Sequence, residues 1–278
     1  MSKLLLGILG EGISYSLSPR IFEWAFRETG VDGEYRIYDL PQDEARAFLQ
    51  SGVWHGLNVT TPHKEFAANC CVNLSARAQQ TRAVNVVTRS AHGVAGDNTD
   101  VEGFKSALNR LAGASFRPEL ILVVGSGGAA KAALCSLGEE YGSARVEVAS
   151  RNPDASQLKL DSLLSRFASS HVIDVETAAH FLRDFDTVIQ ASSVGSVKVP
   201  GCPLPGNLKF RQGAVVLEMI YAPRKTDFME FAARSGARVD NGVAMLIAQA
   251  HSAFNRWTAQ KFPLDKAMDE LILQLQSA

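Results

Sequence analysis

The sequence predicts an α/β protein of two domains: an N-terminal α/β domain, then a Rossmann-like doubly wound domain, with C-terminal helices returning to the first. Three observations carry this. At 278 residues the chain exceeds the usual size of one hydrophobic core. Short apolar runs alternate with helical stretches along most of its length. A glycine-rich turn directly follows an unbroken apolar run at 120–124, the pattern of a buried parallel strand entering a helix.

Taken in order, the run at 4–9 reads as a first buried strand, too short to span a bilayer and closed by Glu11 without a cleavage site. Residues 19–29 and 42–50 carry helical spacing, 35–38 and 56–59 read as strands, and a further helix is expected near 65–71. After an Ala- and Gln-rich stretch, paired strands at 84–88 and 93–96 flank a turn, and 102–112 reads as a connecting helix. The strands at 120–124, 145–149, 187–190 and 214–219 alternate with helices, the signature of a doubly wound sheet with right-handed crossovers. Near 237 the alternation stops, and 244–259 and 263–276 carry apolar residues at helical spacing. The expected division is therefore 1–103, 104–237 and 238–278. With no Pro/Ser-rich linker, the boundary is expected to run through a helix about which two lobes can hinge.

The formal charge of -1 arises from 28 basic and 29 acidic residues without long blocks, so neither nucleic acid nor an anionic membrane is an expected partner. A small molecule is. Four cysteines, at 70, 71, 135 and 202, form no C-x-x-C pair and suit a reducing cytoplasm. The six histidines form no zinc-binding array, and no metal is assigned.

Gly125-Ser126-Gly127-Gly128-Ala129-Ala130 meets the dinucleotide-binding pattern in its required strand-loop-helix context. The first glycine permits the tight turn, the second lets backbone approach a pyrophosphate, and the small third position lets helix lie on strand. The anion then sits on a helix N-terminus. The next strand ends in Ser150-Arg151-Asn152, about 25 residues on, where the adenosine ribose belongs. A carboxylate there would repel a 2′-phosphate, whereas Arg151 can pair with one, so the tip favours NADP over NAD. Glu147 lies earlier, within the strand.

Three segments of the first domain carry a family pattern: Ser14-Tyr15-Ser16-Leu17-Ser18-Pro19, Asn58-Val59-Thr60-Thr61-Pro62-His63-Lys64 and Gly96-Asp97-Asn98-Thr99-Asp100. With Ala83-Val84-Asn85, the glycine loop, Ala191-Ser192-Ser193-Val194-Gly195, Tyr221 and Met245-Leu246-x-x-Gln249, their order resembles the shikimate dehydrogenases over nearly the whole chain. The resemblance implies an NADP-dependent oxidoreductase, monomeric or homodimeric, whose first domain binds a cyclic polyol carboxylate. Ser16 and Ser18 would hold the acid group, at a helix start suited to an anion. Asn58, Thr60, Asn85 and Gln249 would bond ring hydroxyls or the carboxylate. Tyr221 would touch substrate or the nicotinamide end. Ser192 and Gly242 would join Gly125, Ser126, Gly127, Gly128, Ala129, Ser150 and Arg151 around the cofactor.

Lys64 and Asp100 are the pair that the resemblance marks as catalytic, and the chemistry is apt. Oxidising an alcohol sends hydride to the cofactor and leaves a proton that needs a positioned acceptor. The sequence leaves open which member moves it, since the carboxylate favours charged lysine while desolvation disfavours it. Lys64 is assigned as acid/base, with Asp100 orienting it and binding a ring hydroxyl. Departures from the family's commonest form are Gly12 for proline, Tyr15 for histidine, Ser150 for asparagine and Ala244 for glycine. They leave quinate or NAD use open, as is a non-catalytic regulatory protein on the same scaffold.

Overall fold

In the computed structural model, which describes residues 3–276, the chain divides into two compact units. One takes the chain up to Gly103 together with the segment from Leu246 onward; the other is Phe104–Met245.

The first unit opens with β1 (Leu4–Gly10), α1 (Ser18–Thr29), β2 (Gly33–Asp39), α2 (Gln42–Ser51) and β3 (Gly56–Val59). It continues through α3 (Lys64–Cys70), β4 (Asn73–Leu74), α4 (Ala76–Thr81), β5 (Val86–Ser90) and β6 (Gly93–Asp97) into α5 (Asp100–Ala112). Its sheet has the order β2-β1-β3-β5-β6-β4. Strand β1, with Leu6, Ile8 and Leu9 buried, is flanked in parallel by β2 and β3, as its near-continuous apolar run requires. Strands β5 and β6 add on antiparallel.

Two elements here were absent from the sequence reading. Strand β4 is only two residues long, too short to show a period. Helix α4 fills the Ala- and Gln-rich stretch and is capped by the Ser75 hydroxyl, which accepts from the Ala78 N–H at 3.2 Å.

Helices α10 (Val243–Trp257) and α11 (Leu264–Gln276) return to this unit. The Phe22 ring of α1 stacks on Tyr35 at 4.1 Å and meets Phe254 and Trp257 at 6.4 and 5.8 Å. Trp24 packs edge-on against Phe262 at 5.6 Å, while the Trp257 indole N–H donates to the Val87 carbonyl at 3.1 Å. Aromatic burial of this kind, about 1.5–3 kcal/mol per large side chain, fixes the last helices on the sheet.

The second unit holds β7 (Leu120–Val124), α6 (Gly128–Glu140), β8 (Arg145–Ala149), α7 (Pro153–Leu164) and β9 (Ser169–Ile173). After α8 (Val175–His180) come β10 (Thr187–Gln190), β11 (Val215–Glu218), α9 (Asp227–Arg234) and β12 (Arg238–Asp240). All strand pairs are parallel, in the order β12-β11-β10-β7-β8-β9. This is the doubly wound arrangement, whose strand order reverses between β7 and β10. Core residues Leu122, Val124, Val188, Val216 and Phe228 pack together in it. Strands β9 and β12 were not anticipated. Both lie at sheet edges, where partial burial lets Ser169, Ser170 and His171, or Arg238 and Asp240, stand in place of an apolar run.

Candidate active site

Lys64 opens α3 and Asp100 opens α5, and the sheet between them brings the two together. The Lys64 ammonium donates to Asp100 Oδ2 at 2.5 Å, with the side chains only 19% and 8% exposed. A pair so withdrawn from water is not an ordinary surface ion pair.

Each partner is held from behind. Asp100 Oδ1 accepts from the Asn85 amide at 2.8 Å, and the Asp100 N–H donates to Asn98 Oδ1 at 3.1 Å. Asn98 is fully buried and anchors its own amide on the Ala83 carbonyl and the Thr81 hydroxyl, both at 3.0 Å. The Lys64 carbonyl accepts from the Val84 N–H at 2.9 Å, and His63 binds the Leu40 carbonyl at 2.8 Å. A carbonyl can only accept, so His63 Nε2 carries the proton there.

Asn58, Asn85 and Gln249 extend the cluster. Asn58 Oδ1 accepts from the Tyr35 hydroxyl at 2.8 Å, and its amide faces the Asn85 carbonyl at 3.3 Å and Gln249 Oε1 at 3.5 Å. The Asn85 amide reaches the same Gln249 oxygen at 3.4 Å, and Asn85 Oδ1 accepts from the Thr99 N–H at 2.7 Å. A chain of neutral donors and acceptors thus runs from Tyr35 to the Lys64–Asp100 pair, suited to hydroxyl recognition.

Ser16, Ser18 and Thr60, also predicted to bind substrate, make no side-chain hydrogen bond to this cluster among the described residues, and Tyr221 belongs to the other unit. Ser18 is buried but lies one residue inside α1, with Leu17 at the N-cap; Ser16 Oγ accepts from the Ser18 N–H at 3.3 Å. Thr60 follows β3, its backbone tied to Leu9 and His63. Tyr221 is half-buried in the second unit, just after β11.

Tyr35, Asn98 and Thr99 were not named as site residues from sequence. Asn98 and Thr99 lie inside the 96–100 motif, and an asparagine two residues before a helix-opening aspartate is a readable cap signal. Tyr35 had no such signal. It meets Asn58 because β2 and β3 flank β1, with Tyr35 opposite Leu6 and Leu6 opposite Gly56, so that Asn58, two residues on, shares the face.

In the second unit the glycine loop sits at the point of strand reversal. Gly125 follows β7 with φ of +108°, and a Cβ there would lie 3.0 Å from the Ser192 backbone nitrogen after β10. Only glycine combines that conformation with that approach. Gly127 is the N-cap of α6, and no atom lies within 4 Å of where its Cβ would be, which leaves the helix N-terminus open to an anion. Gly128 and Ala129 form the first turn of α6.

The Ser156 hydroxyl donates to Ser126 at 2.9 Å and shares a 2.7 Å bond with Ser150, linking the glycine loop to the β8 tip. Ser156 was not foreseen. Arg151 is exposed and makes no ion pair with a described carboxylate, whereas Glu147 pairs with Arg145 at 3.1 Å. Those features fit a ribose 2′-phosphate at Arg151.

The buried Gln190 side chain accepts from the Ser192 N–H at 2.7 Å and donates to the Val194 carbonyl at 2.8 Å, fixing the turn after β10. Glu218 likewise holds the turn after β11, accepting from the Ile220 N–H at 3.2 Å and the Thr226 hydroxyl at 3.1 Å. Burial pushes its carboxyl from 4.5 up to about 8 against those two bonds. A Cβ on Gly242 would lie 2.3 Å from the Met219 carbonyl oxygen, so close backbone packing demands glycine there. Among the described residues no cluster of His, Cys, Asp or Glu could hold a metal ion, and no helix is long and apolar enough to cross a membrane.

A family model described as the shikimate dehydrogenase substrate binding domain matches residues 8–87. The chain is 32% identical over 277 residues to a shikimate dehydrogenase (NADP(+)) of Bacillus cytotoxicus, covering 98% of each. It is 34% identical over 269 residues to one of Geobacter sulfurreducens, covering 93% of this chain and 92% of that one. A solved shikimate 5-dehydrogenase of Thermus thermophilus, in complex with NADP(H) and shikimate, superposes with a TM-score of 0.84 at 27% identity, covering 98% and 99% of the two chains. With near-complete coverage at this identity, and with the same two-domain fold, the chain belongs to the shikimate dehydrogenase family.

Proposed function

We propose that this chain interconverts shikimate and 3-dehydroshikimate, with NADP as the redox cofactor and Lys64 and Asp100 as the catalytic pair. The observation that carries the reading is the withdrawn Lys64–Asp100 pair joined to three neutral amides, a site with proton chemistry at one end and hydroxyl recognition along its length. The relatives' activity and cofactor support it.

In this reading Asn58, Asn85 and Gln249 hold ring hydroxyls, Thr60 and Tyr221 add contacts to the ring, and Ser16 and Ser18 bind the carboxylate beside the start of α1. In the direction of reduction the Lys64 ammonium gives a proton to the developing alkoxide and is reprotonated from water; in the direction of oxidation Lys64 first releases a proton to water and then takes that of the reacting hydroxyl. Asp100 keeps the ammonium in place through Oδ2 while Asn85 fixes Oδ1. NADP, when bound, accepts or gives the hydride. The loop from Gly125 to Ala129 would hold its pyrophosphate, Ser150 and Arg151 its 2′-phosphate, with Ser192 and Gly242 alongside. The thiols of Cys70, Cys71, Cys135 and Cys202 form no disulfide, which suits a reducing cytoplasm.

The test is cofactor reduction with shikimate and with quinate, each offered NADP and NAD, on wild type and Lys64→Ala. Shikimate with NADP should turn over fastest, and Lys64→Ala should lose on the order of 10²–10⁴ in kcat while still unfolding in one cooperative transition. Silence of the wild type in every combination would overturn the enzyme reading. Wild-type turnover in Lys64→Ala would overturn its proton role.

A further inference from the structure

The second unit carries a cavity of about 560 Å³ whose lining has no carboxylate but four cations: Arg183, Lys209, Arg211 and Arg234. In a chain with a net charge of -1, that concentration is not what the average surface supplies.

The segment Asn207-Leu208-Lys209-Phe210-Arg211-Gln212 leads into β11 and alternates. Leu208 and Phe210 are 3% and 4% exposed, and Phe210 packs edge-on against Phe228 at 5.1 Å. Burying those two turns Asn207, Lys209 and Arg211 outward together. The backbone is pinned as well. The Phe210 N–H donates to the Ser235 hydroxyl at 3.1 Å, and that hydroxyl donates to the Phe231 carbonyl at 2.9 Å. The segment is thereby tied to the end of α9, which supplies Arg234.

Arg234 is preorganised. Its Nε donates to the Glu230 carbonyl at 3.3 Å, its guanidinium lies 5.0 Å from the Phe231 ring centroid, and Nη2 stands 3.8 Å from the Glu230 carboxylate. Arg183, Lys209 and Arg211 make no ion pair with any described carboxylate. Three segments therefore bring cations to one concavity and leave three of the four charges uncompensated.

The place in the fold separates this cavity from the nucleotide loop. Arg183 precedes β10 and residues 207–212 precede β11, whereas Gly125 follows β7 and Ser192 follows β10. In a parallel sheet those are opposite ends of the strands, one strand length apart, roughly 13 Å for four residues.

We propose that this cavity is a second binding site, for a small anion bearing two or more phosphate or carboxylate groups. One singly charged ion would leave most of the field uncompensated. A multiply charged one can bridge the forks of Arg183, Arg211 and Arg234 with Lys209 as a point charge, while Asn207 and Gln212 supply neutral donors. The site is independent of the oxidoreductase reading and uses none of its residues.

Two probes separate the chemistries, inorganic tripolyphosphate and citrate, titrated calorimetrically into the full chain saturated with NADP so that the nucleotide loop is filled. One probe or both should bind with unit stoichiometry, and the tighter one assigns phosphate or carboxylate as the preferred group. Lys209→Gln/Arg211→Gln should weaken binding at least tenfold with NADP affinity unchanged, and Arg183→Gln, on a different segment, should weaken it independently. Absence of saturable binding of both probes, or wild-type binding by both variants, would overturn the proposal. Loss of NADP affinity in the double variant would overturn it too, by placing these cations in the nucleotide site.

Discussion

Tyr35→Phe removes a single oxygen, and the structure says what that oxygen does. The Tyr35 hydroxyl is the donor to Asn58 Oδ1 at 2.8 Å, and both residues are buried. The ring keeps its place in the variant, because its 4.1 Å stack on Phe22 does not involve the hydroxyl. The variant takes away that donor and leaves a buried amide oxygen without it, at about 1–3 kcal/mol. For a chain of this size that lowers Tm by very roughly 2–10 °C. The same bond fixes which end of the Asn58 amide faces the site: with Oδ1 on Tyr35, Nδ2 points toward Asn85 and Gln249. Without it the amide can turn over, so kcat/KM for shikimate should fall by about 5- to 100-fold, mostly through KM. The KM for NADP, whose proposed residues lie in the other unit, should hold. Thermal unfolding and steady-state kinetics with each substrate varied in turn read both effects. A lower Tm with unchanged shikimate KM would refute the positioning role, and an unchanged Tm would refute the hydrogen bond itself.

Three further outcomes follow from the second unit. Gly125→Ala puts a Cβ at φ of +108° and 3.0 Å from the Ser192 backbone, so it should cost roughly 1–3 kcal/mol in denaturant unfolding and weaken NADP binding in a fluorescence titration. Arg151→Ala should raise the KM for NADP about 10-fold or more while leaving that for NAD nearly unchanged, since only the 2′-phosphate distinguishes them. Glu218, raised by burial to about 8, binds a proton in the folded state that the unfolded chain releases above about 4.5. Its contribution is therefore complete below about 4.5 and is lost as pH rises through about 8, with a slope of up to roughly 1.4 kcal/mol per pH unit between. Glu218→Gln should flatten that part of the Tm against pH curve, and an unaltered curve would refute the assignment.

The doubly wound half was legible because its strands are buried on both faces and announce themselves as apolar runs, with the glycine loop marking the first crossover. Strands β9 and β12 escaped for the converse reason: Ser169, Ser170 and His171, or Arg238 and Asp240, sit at edges where water tolerates them. In the candidate site, residues inside contiguous motifs could be named from sequence, Lys64 and Asp100 among them. Tyr35 and Ser156 could not, because each acts through a partner 23 or 30 residues away that only sheet register or a helix start brings near. Gly242 shows the opposite limit. A motif glycine suggested a cofactor contact, and the structure adds a packing demand from the Met219 carbonyl that would select glycine by itself.

Sequence left open which member of the catalytic pair moves the proton, and the hydrogen-bond inventory favours Lys64. Each Asp100 oxygen already accepts one bond, Oδ1 from the Asn85 amide and Oδ2 from the Lys64 ammonium, which fixes the plane of the carboxylate. An ammonium has three N–H donors, and Asp100 engages one of them at 2.5 Å. The remaining positions on Lys64 can meet a hydroxyl while Asp100 stays fixed. Asn85 holds Asp100 from the other side, its amide donating to Oδ1 at 2.8 Å. A carboxylate so held, turned toward a lysine that is itself anchored through its carbonyl on Val84, would serve the proposed reaction as the counterion that positions the ammonium.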